Sequence, residues 1–338
     1  MPIDIFDTRT MLEAVRLMKP PRTFLKDTFF PNQRTFDTET VDIDIVKGKR
    51  RMAPLVNPKN GGKVVERLGY TTNTYKAPMV APKISTTAEN IMKRLPGETI
   101  YTGMSPAERA QEQLGLDLVE LEDMITRREE WMCAQALFNG KLDIKGEGVN
   151  EQIDFYLTNK EVLAAAAKWN AATGDPLADL KRWRQTIIQK SGINPDRVIM
   201  ASNVVDIFVN NAKVKDKLDL RWMQNVQLSP QAFPDGTTYL GRIAELALDI
   251  YSYDEWYIDE DGTEKPMIPA NTVWVGSTNT RFEMLYGAYI DLELGVFDLP
   301  RIPRSWITKD PSTRWLQVVS RPLPLPKEID SMFVATVL

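Results

Sequence analysis

The chain has 338 residues, of which 43% are hydrophobic and 26% are charged, and its formal net charge is −4 at pH 7. This composition is typical of a folded globular protein and excludes extended disorder, while the length predicts about two compact units. The sequence contains no histidine and one cysteine, Cys133. Catalytic Ser-His-Asp and Cys-His groups, histidine metal sites and an internal disulfide are therefore excluded.

Signals for membrane or nucleotide binding are absent from the sequence. The first residues, MPIDIFDTRT, lack the basic and apolar regions of a signal peptide, and no window reaches the roughly 18 apolar residues of a membrane span. No Gly-rich phosphate-binding loop or Ser-x-x-Lys motif is present. A mildly acidic chain is also expected to bind DNA weakly, since binding to phosphates needs a basic surface. We expect an unanchored cytosolic product with no cofactor and no bound metal.

A helix and an apolar arm are predicted at the start of the chain. The helix TRTMLEAVRLMK is stopped by Pro20 and Pro21, and the arm TFLKDTFF ends at Pro31. The arm has too little apolar surface to form a core of its own.

A strand with alternating apolar and polar residues follows from 38 to 46 and carries Asp42 and Asp44 on its polar side. Four positive charges come directly after it: Lys47, Lys49, Arg50 and Arg51. The stretch from about 47 to 100 is rich in Pro, Gly, Thr and Lys and predicts a long projecting β-hairpin or loop. Such a segment is uncommon unless it is disordered or dedicated to contacts.

A long helix is predicted next, with Ser105 as N-cap, Glu108 completing a capping box and Gly140 ending the helix. Leucines and other apolar residues recur along it at helical spacing. Adjacent acids such as Glu122 and Asp123 are expected on a solvated face, and Cys133 is expected to be a packing residue.

The remainder predicts alternating strands and helices of the α+β class. A β-hairpin is expected between about 141 and 160, and a helix begins at Asp175 and ends at Gly192. Asp259 and Asp261 resemble the start of a calcium loop, but the later ligands are missing, so a tight hairpin turn is expected there. The terminal apolar segment is expected to be a paired strand.

Several stretches taken together resemble the major capsid protein E family of tailed phages. They are VVERLGYTTNTYKAPMVAPK, KRLPGE, VKDKLD, YLGRIAELALDIYSYDEWYIDEDGTEKPMIPANTVWVGSTNTR, YGAYID, PRSWITKDPSTRWLQVVSRPLPLP and the terminal MFVATVL. They occur in one order from about residue 38 to the C-terminus. The order of arm, charged loop, long helix, α+β unit and closing strand also resembles the capsid fold named after phage Hong Kong 97.

The resemblance implies a shell-forming subunit of the virion, with no enzymatic role. Its implied regions are an arm at 1–40, an extended loop at 41–104, a peripheral domain with a spine helix and hairpin at 105–174, an axial domain at 175–310, and C-terminal strands at 311–338 that return to the peripheral domain. It also implies assembly in the host cytoplasm into an icosahedral procapsid of hexamers and pentamers that expands as DNA is packaged. Implied partners are a portal, a scaffolding protein and a decoration protein. No helical pre-domain of roughly a hundred residues precedes the arm, so the scaffold is expected as a separate chain.

This reading predicts two sets of inter-subunit contacts. The first set comprises arm side chains expected to be buried mainly between subunits: Phe24, Leu25, Phe29 and Phe30. Deletion of residues 1–35 is therefore expected to leave a folded subunit. The second set comprises the charged strand and turn, expected to select one register on a neighbour: Asp42, Asp44, Lys47, Lys49, Arg50 and Arg51.

Other functions remain open at this point. A cargo-enclosing bacterial compartment protein shares the fold, and fold alone does not separate it from a phage capsid protein. A carboxylate-based hydrolase and a nucleic-acid module based on KGKRR are alternatives of other classes. Lys59, Lys63 and Lys76 make lysine-to-asparagine crosslinks between subunits conceivable, although a decoration protein is the expected stabiliser in this branch. Double-stranded DNA is expected to be enclosed without sequence-specific binding.

Overall fold

A computed structural model describes most of the chain, namely residues 6, 8–17, 23–46, 52–53, 55–57, 61–65, 70–93, 105–146, 148–218, 226–233, 235–259, 261–292 and 295–338. Within these residues, no helix combines the length and apolar character that a membrane span requires. The fold mixes helices and strands, which confirms the α+β prediction.

The described α-helices are α1 (Thr8–Leu17), α2 (Phe24–Phe29), α3 (Ala88–Met92), α4 (Pro106–Ala134), α5 (Pro176–Lys190), α6 (Ser202–Asn210) and α7 (Ala212–Leu218). Helix α4 runs directly into a π-helical turn, Gln135–Asn139, and short 3-10 turns occur at Ala165–Ala167 and Ile329–Ser331.

The strands of the first half are β1 (Asn32–Thr35), β2 (Thr40–Val46), β3 (Tyr70–Lys76), β4 (Lys83–Thr87), β5 (Lys141–Gly146), β6 (Val149–Asp154) and β7 (Lys160–Val162). Those of the middle are β8 (Arg197–Ala201), β9 (Val226–Ala232), β10 (Thr237–Ile243), β11 (Leu248–Tyr253), β12 (Trp256–Ile258), β13 (Glu264–Pro266) and β14 (Thr272–Gly276). The last are β15 (Phe282–Tyr286), β16 (Tyr289–Asp291), β17 (Gly295–Phe297), β18 (Ile302–Lys309), β19 (Ser312–Val319), β20 (Pro322–Pro326) and β21 (Phe333–Thr336).

The chain divides into two compact units. Unit 1 comprises Met1–Val41, Lys76–Met132 and Met284–Pro324, and unit 2 comprises Asp42–Tyr75, Cys133–Glu283 and Leu325–Leu338. Each unit is therefore built from segments far apart in sequence. The domain ranges implied by the family resemblance do not coincide with these units and stay a prediction.

The core of unit 1 forms where one side of α4 meets α1 and a three-stranded antiparallel sheet of order β18–β19–β4. Residues at spacings of three and four along α4 supply one apolar stripe, as an amphipathic helix requires. The buried cluster consists of Met11, Leu114, Leu118, Leu121, Ile125, Leu316 and Val318.

Unit 2 is organised by a mixed seven-stranded sheet of order β7–β21–β14–β8–β11–β10–β9. The β8–β11 and β7–β21 pairs are parallel, and the other neighbouring pairs are antiparallel. Every residue of β14 is buried, which fits a central strand covered on both faces.

Strand β21 lies in the interior of this sheet, between β14 and β7. It therefore pairs with one strand from the range predicted as axial and one from the range predicted as peripheral. The ring of Phe333 stacks on Trp183 of α5 at 5.4 Å between centroids, and Trp183 stacks in turn on Trp169 at 6.0 Å. The prediction that the terminal apolar segment is paired is confirmed.

The predicted helix caps are confirmed. The amide of Ser105 donates to the Glu108 carboxylate at 2.7 Å, and the amide of Glu108 donates to the Ser105 hydroxyl at 3.3 Å, which is a capping box. Gly140 adopts a φ of +65°, and a β-carbon there would lie 2.3 Å from the β-carbon of Leu157. Asp175 accepts a hydrogen bond from the amide of Ala178 at 3.0 Å, as predicted for an N-cap.

Three further predictions are confirmed by the strand pairing. Strands β5 and β6 form the predicted hairpin, and β2, which lies within the strand predicted from 38 to 46, pairs with β3. Asp259 and Asp261 flank the turn between β12 and β13, where the amide of Gly262 donates to the carbonyl of Asp259. Strand β4 and helix α3 were not predicted, and β4 is fixed by its pairing with β19.

We predict that Phe333→Ala lowers the free energy of unfolding by about 3–5 kcal/mol, the usual cost of emptying a buried aromatic site. The ring is 7% exposed and stacked on Trp183 within the sheet of unit 2. The matched control is Val162→Ala in the neighbouring strand β7, because Val162 is 68% exposed. Urea denaturation followed by circular dichroism measures both variants, and equal losses would contradict the central position of β21.

Candidate functional site

The acidic strand β2 contains both predicted contact carboxylates. The carboxylate of Asp42 is exposed and accepts a hydrogen bond from the hydroxyl of Thr74 in β3 at 2.5 Å. Asp44 lies in the same strand, and its side chain is outside the described residues, as are Lys47, Lys49, Arg50 and Arg51. The register-selecting contact of this segment therefore stays a prediction.

The base of this loop is fastened within unit 1 by Arg321, which is 5% exposed. Its guanidinium donates to the carbonyl of Ala77 at 3.2 Å and 3.3 Å and pairs with the carboxylate of Glu39 at 3.0 Å. The amide of Ala77 also donates to the carbonyl of Glu39. Glu39 and Ala77 lie at the two ends of the β2–β3 segment, so one arginine holds both ends of this strand pair.

The arm side chains are placed differently from the prediction. Phe24, Leu25, Phe29 and Phe30 are all buried in the single chain, at 8%, 0%, 1% and 0% exposure. The expectation that they are buried mainly between subunits is therefore wrong. The reason is that residues 24–29 form the helix α2, whose apolar side chains are buried within the single chain.

Helix α2 is held by an acceptor distant in sequence. Its N-cap residue, Thr23, makes no side-chain cap, and the carboxylate of Glu130 instead accepts from the amides of Leu25 at 2.7 Å and Lys26 at 2.9 Å. A carboxylate at this position satisfies free amides and also interacts favourably with the helix dipole. Because Glu130 lies 105 residues from Leu25, no local sequence pattern marks this cap.

A buried ionic cluster centred on Arg301 lies beside this contact. The guanidinium donates two hydrogen bonds to Glu129, at 2.6 Å and 2.9 Å, and two from Nε to Glu122, at 2.8 Å and 2.9 Å. Lys26 of α2 pairs with the same Glu129 carboxylate at 2.7 Å. We name this set, Lys26, Glu122, Glu129 and Arg301, the arginine cluster.

The arginine cluster is balanced in charge and closed to solvent. Two cations face two carboxylates, and the side chains of Glu129 and Arg301 are 0% and 10% exposed. The hydroxyls of Ser320 and Thr126 accept further hydrogen bonds from the guanidinium of Arg301, at 3.2 Å and 3.5 Å. Bidentate pairing with nearly complete hydrogen bonding is the arrangement that offsets the desolvation of buried ions.

The ion pairs shift the pKa values of Glu129 and Lys26 in the direction that favours their charged forms. Burial alone would raise the pKa of Glu129, but Arg301 and Lys26 outweigh it and hold that pKa below its ordinary value. Burial alone would lower the pKa of Lys26, but Glu129 outweighs it and raises that pKa. Burial, with the nearby Glu129 carboxylate, raises the pKa of the Tyr286 phenol. Glu129, Lys26 and Arg301 therefore stay ionised across the neutral range.

The expectation of a solvated face for Glu122 and Asp123 is wrong for Glu122, which is buried. Glu122, Thr126 and Glu129 follow one another at helical spacing on the side of α4 that also carries Leu118, Leu121 and Ile125. Carboxylates within an apolar stripe are a sequence signal for a buried cationic partner. The identity of that partner, Arg301, has no local signature.

Among the described residues, no group of three His, Cys, Asp or Glu side chains is placed to hold a metal ion. Cys133 is buried and unbridged, in agreement with the prediction of a packing role. The arginine cluster therefore positions the arm on α4, through the pair of Lys26 and Glu129.

The fold is that of phage capsid proteins. It superposes on a capsid protein from a prophage of Escherichia coli CFT073 with a TM-score of 0.73, at 21% identity over 98% of this chain and 99% of that one. It also superposes on a phage-related protein of Bordetella bronchiseptica RB50 with a TM-score of 0.54, at 11% identity over 97% and 96% of the two chains.

The family described as phage major capsid protein E matches residues 7–337, so the chain belongs to that family. It is 28% identical to the major capsid protein of Enterobacteria phage P21 over 98% of this chain and 99% of that protein. It is 27% identical to the major capsid protein of Escherichia phage lambda over 89% of this chain and 90% of that protein. The resemblance inferred from the sequence is confirmed, and the chain is a structural protein of the phage virion.

We predict that Arg301→Met costs about 3–5 kcal/mol of unfolding free energy, because it leaves the Glu129 carboxylate buried without its main partner. The matched control is Arg182→Met, which removes an arginine paired with Glu161 at 2.8 Å on the surface of α5. That side chain is half exposed, so its loss should cost at most about 1 kcal/mol. Urea unfolding measures both, and a cost for Arg301→Met no larger than the control would contradict a structural role for the cluster.

We predict that Glu129 contributes to the acid sensitivity of the subunit. A carboxylate whose pKa is lowered by folding stabilises the protein above its unfolded pKa and loses that contribution as the pH falls through its folded value. Glu129→Gln should therefore be less stable than the parent at neutral pH, and the difference should shrink as the pH drops below about 4.3. Urea midpoints over this range measure the effect, with Glu151→Gln on an exposed strand as the control, and a constant difference would contradict it.

Proposed function

We propose that the chain is the shell subunit of a tailed double-stranded DNA phage or prophage, assembling into an icosahedral procapsid that expands when DNA is packaged. The observation that carries this proposal is the family match over residues 7–337, together with relatives named as major capsid proteins that match over most of both chains. Hexamers and pentamers of this chain form the shell in the host cytoplasm. The role is structural and requires no catalytic group.

The partners proposed for this assembly are a portal, a separately encoded scaffolding protein and a decoration protein. The packaged DNA is enclosed without sequence-specific contact, which suits a chain with a formal net charge of −4. In the proposed division, 1–40 is the arm, 41–104 the extended loop, 105–174 the peripheral domain and 175–310 the axial domain, with 311–338 as closing strands. The anchoring of Glu39 and Ala77 by Arg321 supports the part of this loop formed by β2 and β3, because both ends of that strand pair are fixed.

A cargo-enclosing bacterial compartment protein is the second candidate, because it shares the fold. The curated relatives favour the phage function, since all of those matched here are named as head or capsid proteins. A neighbouring terminase or portal gene would decide between the two.

Expression with and without the neighbouring genes tests the proposal, with electron microscopy as the measurement. We expect closed shells only when the separate scaffold is present, and irregular assemblies or capsomers without it. Uniform closed shells from the chain alone would overturn the separate scaffold. A stable monomer under every condition would overturn the shell function.

We predict that reversing Arg50 and Arg51 to glutamate blocks assembly and leaves the free subunit folded. Charge complementarity at an inter-subunit contact selects register, and like charges brought together cost several kcal/mol. The defect should be more severe at low salt than at high salt, where repulsion is screened. The control variant replaces both arginines with lysine and keeps the charge.

Circular dichroism, thermal melting and shell yield measure this effect. Normal assembly of the glutamate variant at low ionic strength would show that the charged turn lies outside any contact between subunits.

A further inference from the structure

The sheet β18–β19–β4 of unit 1 has two faces of different chemistry. Leu316 and Val318 of β19 point into the core with α1 and α4. Because side chains alternate along a strand, Trp315 lies on the opposite face, where it is directly paired with Trp306 of β18 and Ser85 of β4. This face is directed away from the core of unit 1.

The outward face carries a stacked pair of tryptophans flanked by cations. The rings of Trp306 and Trp315 lie 6.5 Å apart with planes inclined by 20°. The ammonium of Lys83 lies 4.9 Å from the centre of the Trp315 ring, and the guanidinium of Arg304 lies 5.2 Å from that of Trp306. We name this surface, formed by Lys83, Arg304, Trp306 and Trp315, the tryptophan platform.

Contacts within the chain hold two members of the tryptophan platform in place. The indole nitrogen of Trp315 donates to the hydroxyl of Thr308 at 3.1 Å, and Arg304 is held by the carboxylate of Asp291 at 2.8 Å. Trp306 is nevertheless 36% exposed. Large aromatic and arginine side chains held in place but left accessible have the composition of an interface hot spot, because little conformational entropy is lost when they are covered.

The outward face of α4 has the complementary composition. Leu116 lies four residues from Glu112, three from Val119 and four from Glu120, and these spacings place the four side chains on one face of the helix. Leu116 and Val119 are 53% and 46% exposed, and both carboxylates are exposed. An apolar stripe bordered by acids matches this aromatic surface in hydrophobicity, and Lys83 supplies the charge of opposite sign, since Arg304 is already paired with Asp291.

We propose that the tryptophan platform of one subunit docks on the outward face of α4 of a second copy of this chain. This inference rests on the proposed shell function, which supplies many copies at high local concentration. The contact is heterologous, with one patch meeting a different patch, as ring and shell assembly requires. Trp306 and Trp315 cover Leu116 and Val119, while Lys83 faces Glu120 and orients the two subunits.

Site-specific photo-crosslinking tests the docking directly. A photoreactive amino acid replaces Trp306, and the crosslinked peptides are identified by mass spectrometry on any oligomer, including capsomers that do not close. We expect crosslinks to residues 112–124 of a second copy. Crosslinks to another part of the chain, to the scaffold or to nucleic acid would overturn the docking.

Matched variants give a second measurement. Trp306→Ala should weaken assembly about tenfold or more, the effect of losing a hot-spot side chain, whereas Ile307→Ala on the opposite face of the same strand should assemble like the parent. Lys83→Glu and Glu120→Lys should each impair assembly, and the double variant should restore it. Failure of that restoration, or equal effects of Trp306→Ala and Ile307→Ala, would overturn the proposal.

The outcomes separate the docking from the shell function. Closed shells without a crosslink to α4 would overturn the docking alone. Oligomers that crosslink at α4 but never form a shell would support the docking and overturn the proposed function. A chain that stays monomeric would overturn both.

Discussion

The bidentate pair of Arg301 and Glu129 is the interaction on which the arrangement of unit 1 depends. Glu129 accepts from Arg301 and from Lys26, so it joins the long helix α4 to both the arm helix α2 and the segment before β18. A buried carboxylate cannot be left without such partners, because its desolvation would cost several kcal/mol. The position of the arm is therefore specified by charge as well as by the burial of Phe24 and Leu25. Apolar contacts alone would tolerate a displaced helix more readily than a bidentate ion pair does.

Unit 2 depends on a different constraint, the pairing of strands that are distant in sequence. Strand β8 lies between β14 and β11, and β21 lies between β14 and β7. Since both neighbours of each strand must be present to satisfy its amides and carbonyls, the sheet is stable only as a whole. The aromatic stack of Trp169, Trp183 and Phe333 reinforces one side of this arrangement. The ionic cluster thus fixes the arm in unit 1, whereas unit 2 depends on its strand order.

Local features were predictable from the sequence because their causes are local. The capping box of Ser105 and Glu108, the left-handed Gly140 and the N-cap Asp175 each depend on neighbours within a few residues. Helix α2 was not predicted from the sequence, because its N-terminal amides are capped by Glu130, which lies 105 residues from Leu25. Glu122 was misjudged for the same reason, since its partner Arg301 lies 179 residues away. The family was recognisable because many stretches matched in one order, whereas the arginine cluster and the tryptophan platform arise from pairings that no single stretch contains.

The interior position of β21 has a consequence for biosynthesis. The seven-stranded sheet of unit 2 has a gap between β14 and β7 until Phe333–Thr336 has left the ribosome. Contacts of such long sequence separation form slowly, and exposed strand edges in the interval are prone to pair with the wrong chain. Completion of unit 2 therefore waits for the synthesis of β21, however early its helices form. A chain truncated before Phe333 lacks the strand that completes this sheet.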